Sequence, residues 1–322
     1  MKPELSIVIT YHNEGQEFIN ECVKQIRETA DMKDYEIIIV DDCSDKPITV
    51  EGAYVIRHDK NKGVGAAQDT GVGFARADNV IFMMCDIRFI ANQWMSKMYN
   101  TINEYPKSLI CSQCIALSLE KEKGLDLNHR RKINMVAGAV ILLYHNHGND
   151  KGKPTNFKSL IHSKWRKTNK EEKGIIEVPS ILGSFYGTKK EWYQYIDGFY
   201  GHKIWGALEP LISLKSWLFG GDPGCICDKR IETGHIFRKK SVHKISQAAI
   251  YHNKLWALKT LFEEETIKGL MEYLPRDKNI LGGESLLDME MLDTKRDEYQ
   301  AKRVISDKEL FEKTGIEVLK KS

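Results

Sequence analysis

Asp86 ends an unbroken apolar run, Val80, Ile81, Phe82, Met83, Met84 and Cys85. A strand built this way delivers one anionic ligand to the carboxyl edge of a sheet, the edge at which open α/β sheets bind their ligands. Opposite a sugar diphosphate, that carboxylate would hold the divalent metal that neutralises it. Asp41 and Asp42 close a second run in YEIIIVDDCSD (residues 35–45). Either carboxylate can accept hydrogen bonds from a base N–H or ribose hydroxyls. The alternative is that they cap the next turn, which Asp and Ser favour anyway. In NKGVG (residues 61–65), Gly63 and Gly65 permit close backbone approach, and Lys62 can meet phosphate or stay in solvent.

The elements that must position these groups alternate along the first hundred residues. LSIVIT (residues 5–10) is continuous and β-branched, as expected of a strand buried on both faces of a parallel sheet. A polar turn follows, Tyr11 to Gly15, with Thr10, Tyr11 and Glu14 placed against the same nucleotide as Asp41 and Asp42. Phe18, Cys22, Val23, Ile26 and Ala30 then recur at helical spacing, with Asn13 as the expected helix cap. AYVIRHD (residues 53–59) reads as a third strand, and NKGVGAAQDTGVGFARAD as a glycine-rich turn feeding a small-residue helix. Strand, helix and strand in series imply right-handed crossovers and a mostly parallel sheet.

Composition narrows the class. Apolar residues make up 42% and charged residues 29%, values of a folded globular chain. A net charge of +3 is too small to demand a polyanionic partner. Seven cysteines spread over the 322 residues do not read as a disulfide framework and favour a reduced, cytoplasmic setting. MKPELSIVIT enters a strand with no cationic leader, so no secretory signal is expected. No run approaches the ~18 apolar residues of a membrane span.

The order of these segments resembles the nucleotide-diphospho-sugar glycosyltransferases of the GT-A fold, family two in particular. VPSILGSFYGTKKEWYQYIDGFYG (178–201), WGALEPLISLKSWLFGG (205–221) and TGHIFRKK (233–240) look like the matching blocks of polypeptide N-acetylgalactosaminyltransferases. The resemblance covers roughly residues 1–240 and leaves the tail uncovered. It implies an α/β GT-A domain over 1–262, split into a nucleotide-binding half (1–100) and an acceptor and metal half (101–262). A helical C-terminal extension over 263–322 follows, with Ser306 and Glu309 as a capping box.

The same resemblance implies a metal-dependent transfer from a nucleotide diphosphate sugar, a UDP-sugar, to a hydroxyl. The family's Asp-any-Asp signature reads Met84, Cys85, Asp86 here, so only the second acid is kept. The resemblance assigns Asp86 and His235 to a manganese or magnesium ion, and Arg238 to the diphosphate. Arg88 would add a phosphate contact or a salt bridge. Gly183 and Ser184 are expected at the sugar. Glu209, the only acid of its block, would orient the acceptor hydroxyl or take its proton, unless it merely caps the helix. The N-acetylgalactosaminyltransferase pattern has its acid one residue earlier, at Leu208, which leaves the stereochemical course open. Trp205 would stack on a sugar or acceptor ring, or belong to the core.

The acceptor stays open between a protein or glycan and a hydroxymethylated DNA base. The latter is suggested by basic residues interleaved with Phe237, Tyr251 and Trp256 across residues 229–259. Residues 145–173, rich in Lys, His and turn formers, read as a long loop over the acceptor. Cys111, Cys114, Cys225 and Cys227 offer zinc ligands on paper, but LICSQCIALSL reads as a strand, on which residues three apart diverge. A sugar nucleotidyltransferase and a non-catalytic nucleotide-sugar-binding protein are the rival readings.

Overall fold

The computed structural model describes residues 2–117, 135–144, 160–169, 171–236, 246–272, 274 and 278–319. The elements of the first third are β1 (Leu5–Tyr11), α1 (Gln16–Thr29), β2 (Tyr35–Asp41), β3 (Tyr54–Arg57), α2 (Val64–Phe74), β4 (Asn79–Met84), β5 (Ile87–Phe89) and α3 (Trp94–Glu104). The middle contributes β6 (Leu109–Leu117), β7 (Val136–Tyr144), β8 (Leu160–Lys167), β9 (Ile175–Glu177), β10 (Phe185–Lys189), α4 (Lys190–Tyr195), α5 (Leu208–Leu218) and β11 (Cys225–Ile236). The last part holds α6 (Gln247–Leu261), α7 (Glu264–Glu272), α8 (Lys278–Glu284), α9 (Met289–Lys302), α10 (Asp307–Thr314) and β12 (Glu317–Leu319).

One sheet runs β12-β7-β6-β10-β4-β1-β2-β3. β1 pairs in parallel with both β2 and β4, and β2 with β3, as the alternation requires. Every residue of β1 is buried, which explains its lack of a polar face. Helix α2 lies directly on it: a methyl added at Gly71 would sit 2.2 Å from a Val8 methyl, so the small residues of this helix allow the close approach. The second half changes direction. β10 enters antiparallel between β4 and β6, while β11 runs parallel to β6 and antiparallel to β5 and β9.

Several expectations are corrected. Asn13 does not cap α1; Gly15 holds that position, and the Asn13 side chain accepts from the Asp45 amide at 2.8 Å. Residues 160–167 of the expected loop form β8, paired antiparallel with β7, while 145–159 lie outside the described residues. Tyr251 and Trp256 are 1% and 2% exposed, because α6 is enclosed by α5, α8, α9 and β8. They form no nucleic-acid face, and Phe237 lies outside the described residues. The C-terminal region is helical, with the Ser306–Glu309 capping box present, but it also supplies β12, which pairs in parallel with β7. β6 is a strand as expected; Cys111 lies in register with Cys227, and burial raises both the Cys225 and Cys227 thiols, against the thiolate form a metal needs. Among the described residues no helix is long and apolar enough to cross a membrane.

Candidate active site

The first carboxylates lie where β1 and β2 end side by side, Tyr11 opposite Asp41. Asp41 is fully buried, ion-paired to Arg57, and accepts from the Ser44 amide at 2.9 Å. Asp42 accepts from the Lys62 amide at 2.8 Å and the Gly63 amide at 2.7 Å, with the His58 ring 2.7 Å away. The turn-capping use is therefore realised for both acids. Asp42 nevertheless lines a small hollow together with Thr10, Tyr11, His12, Glu14, Val64, Ala67 and Met84. Its volume, about 10 Å³, is far below that of a nucleobase, so a nucleotide must lie across its mouth or open it. Thr10 Oγ1, buried at its edge, has no hydrogen bond among the described residues. The Glu14 carboxylate accepts from the His12 amide. Burial raises the Tyr11 phenol, whose oxygen accepts from the Gly15 amide at 2.9 Å.

Gly63 turns out to serve the chain itself. It adopts φ +92°, and a methyl there would lie 2.0 Å from the Ile204 carbonyl oxygen. Its close approach is to that backbone, with Val64 N–H donating to the same oxygen at 3.2 Å. The Lys62 side chain is largely exposed, 3.7 Å from Asp59.

Asp86 sits in the turn between β4 and β5. β5 pairs with the end of β11, setting Ile87 opposite His235, and the Ile236 amide donates to the Asp86 carbonyl at 2.9 Å. The side chains meet, with His235 Nε2 3.5 Å from Asp86 Oδ1. Arg88 does not reach a ligand position. It is 2% exposed, bonds the Cys85 and Ile87 carbonyls at 2.8 and 2.7 Å, and lies 5.0 Å over the Phe18 ring, thereby fixing the turn that carries Asp86.

Asp86 Oδ1 is buried and accepts no hydrogen bond among the described residues. A buried carboxylate oxygen left this way is costly unless a cation completes it. Carboxylate and imidazole fit manganese or magnesium. Among the described residues no group of three or more His, Cys, Asp or Glu is gathered, so an ion here would draw its other ligands from donor oxygens and water.

Across the β4 tip, the Met84 amide donates to the Ser184 carbonyl at 3.1 Å. Beside it, a methyl on Gly183 would lie 2.5 to 2.8 Å from the side chain of Glu209. Glu209 belongs to the first turn of α5, and its carbonyl accepts from Ser213 Oγ at 2.6 Å. Burial raises its pKa. Trp205 is half-buried and lines a cleft of about 370 Å³ with Glu209, His162 and Lys254. Arg238 lies outside the described residues.

Sequence reasoning missed His12, Val64, Ala67, His162 and Lys254. His12 stood inside the YHNE turn and was within reach; Lys254 carries no local signal, because only the packing of α6 brings it to the cleft.

The family model for glycosyl transferase family 2 matches residues 6–160. Human polypeptide N-acetylgalactosaminyltransferase 14 is 22% identical over 255 residues, covering 74% of this chain and 41% of that protein. A solved structure of GalNAc-T7 with UDP, GalNAc and Mn2+ superposes with a TM-score of 0.69 at 17% identity, over 97% of this chain and 56% of that one. By fold the chain is thus of the GT-A type, and just under half of it carries the glycosyl transferase family 2 match. Mouse polypeptide N-acetylgalactosaminyltransferase 10 is 23% identical over 297 residues, 88% of this chain and 46% of that protein. A match of that extent must enter the region after residue 262, so the likeness reaches further than residue 240. The chain spans about two fifths to one half of the length of these relatives.

Proposed function

We propose that this glycosyltransferase moves a sugar from a UDP-sugar onto a hydroxyl of a protein, with a divalent cation at Asp86 and His235. The observation that carries the reading is the 3.5 Å approach of His235 Nε2 to the buried Oδ1 of Asp86, which accepts no hydrogen bond among the described residues, at the edge where β1, β2 and β4 end. A cation bound there would neutralise the diphosphate as it leaves. Thr10, Tyr11 and Glu14, with Asp42 behind them, would receive the nucleoside side of the donor. Gly183 and Ser184 lie between the β4 tip and Glu209, which supports a position for the transferred sugar between metal and acceptor. Glu209, which lines the cleft with Trp205, would orient the acceptor hydroxyl or take its proton. UDP as the nucleotide and protein as the acceptor are supported by what the related proteins are named for.

Thermal melts with UDP and a panel of UDP-sugars, with and without manganese, test the reading, because ligands that bind only the folded state raise its stability. Manganese and UDP together should raise the melting temperature of the wild type above UDP alone. In Asp86→Asn and His235→Gln the manganese increment and the turnover should both be lost. Metal-dependent shifts of the same size in all three proteins remove the cation from this site.

A further inference from the structure

The segment that leads through Trp205 into Glu209 lies directly on α6. Gly201 and Gly206 adopt φ +82° and +108°; a methyl on the first would stand 2.2 Å from the Trp256 ring, and on the second 2.5 Å from the Ile250 side chain. Between these two close approaches, one side chain of α6 holds the backbone. Asn253 is fully buried; its Oδ1 accepts from the Lys203 amide at 2.8 Å, and its Nδ2 donates to the Lys203 carbonyl at 3.1 Å and the Gly206 carbonyl at 2.9 Å. One acceptor and two donors on so short a stem are what a primary amide offers. Next to it, the His252 ring bonds the Gly201 carbonyl at 2.9 Å. From the opposite side the Val64 amide donates to the Ile204 carbonyl at 3.2 Å, at a bridge between Gly63 and Ile204. Helix α5 depends on such outside support, because its N-cap is Ala207, at φ +58° and without a side-chain cap. Trp205 and Gly206 run directly into Ala207, Leu208 and Glu209, and all five line the cleft of about 370 Å³.

We infer that Asn253 is a positioning residue for the acceptor side of the reaction: it fixes where Trp205 and Glu209 meet the acceptor, and acts only through the backbone it holds. The inference rests on the acceptor role proposed above for Glu209 and Trp205, and adds what keeps them in place. Removing the amide takes the partner from one buried N–H and two carbonyls, so the segment would shift on α6 to satisfy them elsewhere. The donor side is held by other contacts. Asp86 is set by the pairing of β5 with β11, and Asp42 by the Lys62 and Gly63 amides.

The test measures transfer by the full chain with manganese and UDP-N-acetylgalactosamine, UDP-N-acetylglucosamine or UDP-glucose, whichever is turned over. The acceptors are a synthetic threonine peptide and an oligonucleotide carrying a hydroxymethylated base. Calorimetry with UDP and manganese counts the folded sites in each protein, so that rates are expressed per UDP-binding site. Asn253→Ala should lose roughly a hundredfold in kcat/KM for the acceptor, the cost of misplacing a reacting group by about 1 Å, and keep the wild-type affinity for UDP. In a Glu209→Ala background the same substitution should cost far less, because the group it positions is gone. Asn253→Asp keeps the oxygen toward the Lys203 amide but donates only when protonated, so its kcat/KM relative to wild type should rise as pH falls. That second variant is read alone where Asn253→Ala binds no UDP. A loss of equal size with and without Glu209 gives Asn253 a part in the fold only and overturns the inference. So does a fully active Asn253→Ala, a ratio for Asn253→Asp that is flat with pH, or loss of UDP binding in both variants. A wild type that uses the oligonucleotide and not the peptide removes the protein-acceptor reading alone, and the same variants are then read on that acceptor. A wild type that hydrolyses the donor yet uses neither acceptor removes the acceptor role of Glu209, and this inference with it.

Discussion

Gly183→Ala displaces the Glu209 carboxyl without removing it, and so tests its position apart from its chemistry. The added methyl would stand 2.5 Å from Glu209 Cγ, 2.6 Å from Oε1 and 2.8 Å from Cδ. Carbon contacts are at rest near ~3.5–4 Å, so the side chain must retreat by about 1 Å. Gly183 has no left-handed backbone requirement, so the conformational cost is that of one shifted rotamer, about 0.5–1.5 kcal/mol. Stability should change little. Catalysis should change more, because a displacement of about 1 Å at a reacting group can cost ~100-fold, equivalent to about 2.7 kcal/mol of barrier. The assay is UDP release in steady state, alongside UDP affinity by calorimetry. Gly183→Ala should lose about two orders of magnitude in kcat and keep its affinity for UDP. Combined with Glu209→Ala it should be no worse than Glu209→Ala alone, since the methyl then has nothing to displace. Two losses that multiply would refute the reasoning, as would a fully active Gly183→Ala enzyme.

Three further outcomes concern Gly63 and Glu209. Gly63→Ala must place a side chain at φ +92° and 2.0 Å from the Ile204 carbonyl, a backbone neighbour that cannot swing away; a loss of about 2–4 kcal/mol in urea denaturation is expected, and a loss below about 0.5 kcal/mol would contradict it. Glu209 has a raised pKa, so the native state binds its proton more tightly than the unfolded chain does. Its contribution to stability is therefore present at low pH and falls as pH rises from the ordinary carboxylate range through the raised value. If it acts as a base, kcat should fall as pH drops through that raised value, and Glu209→Gln should remove this acidic limb; an acidic limb surviving in the variant belongs to another group.

How much of this was legible depended on where each signal resides. The strand-end acids could be read because an apolar run breaks abruptly into a charge, and Asp86 and His235 do converge. What pattern could not supply was the partner of each group. Asp41 and Asp42 read either as ligands or as caps of the next turn, and Arg57, Ser44, Lys62 and Gly63 claim them, because a turn this tight must satisfy its own amides first. The sequence of β8 reads as loop because its charges resemble solvent-facing chain. Among the described residues it pairs only with β7, and an edge strand tolerates, even profits from, such charges. Tyr251, Lys254 and Trp256 mixed base and aromatic in a way that imitates a nucleic-acid surface, until three helices and a strand close over α6.

The tail shows why the cleft at Trp205 and Glu209 carries so little signal in the sequence. Asp197 follows α4 at φ +60° and starts the segment that reaches Trp205 and Glu209. Its carboxylate is held from α9 by Tyr299 Oη at 2.7 Å and Lys295 Nζ at 2.8 Å. From the other side, Asp69 of α2 accepts from Tyr193 Oη at 2.7 Å and the Phe199 amide at 3.1 Å. Lys215 of α5, 1% exposed, closes the same knot by donating to the Gly198 carbonyl at 3.0 Å. The turn that presents Glu209 is thus fixed by the donor-side helix α2, by its own helix α5 and by the C-terminal α9 at once. None of these contacts lies within a motif, and each joins residues far apart in the chain. That arrangement ties the last sixty residues directly to the segment that leads into the cleft lined by Trp205 and Glu209, while none of these contacts involves Asp86 or His235.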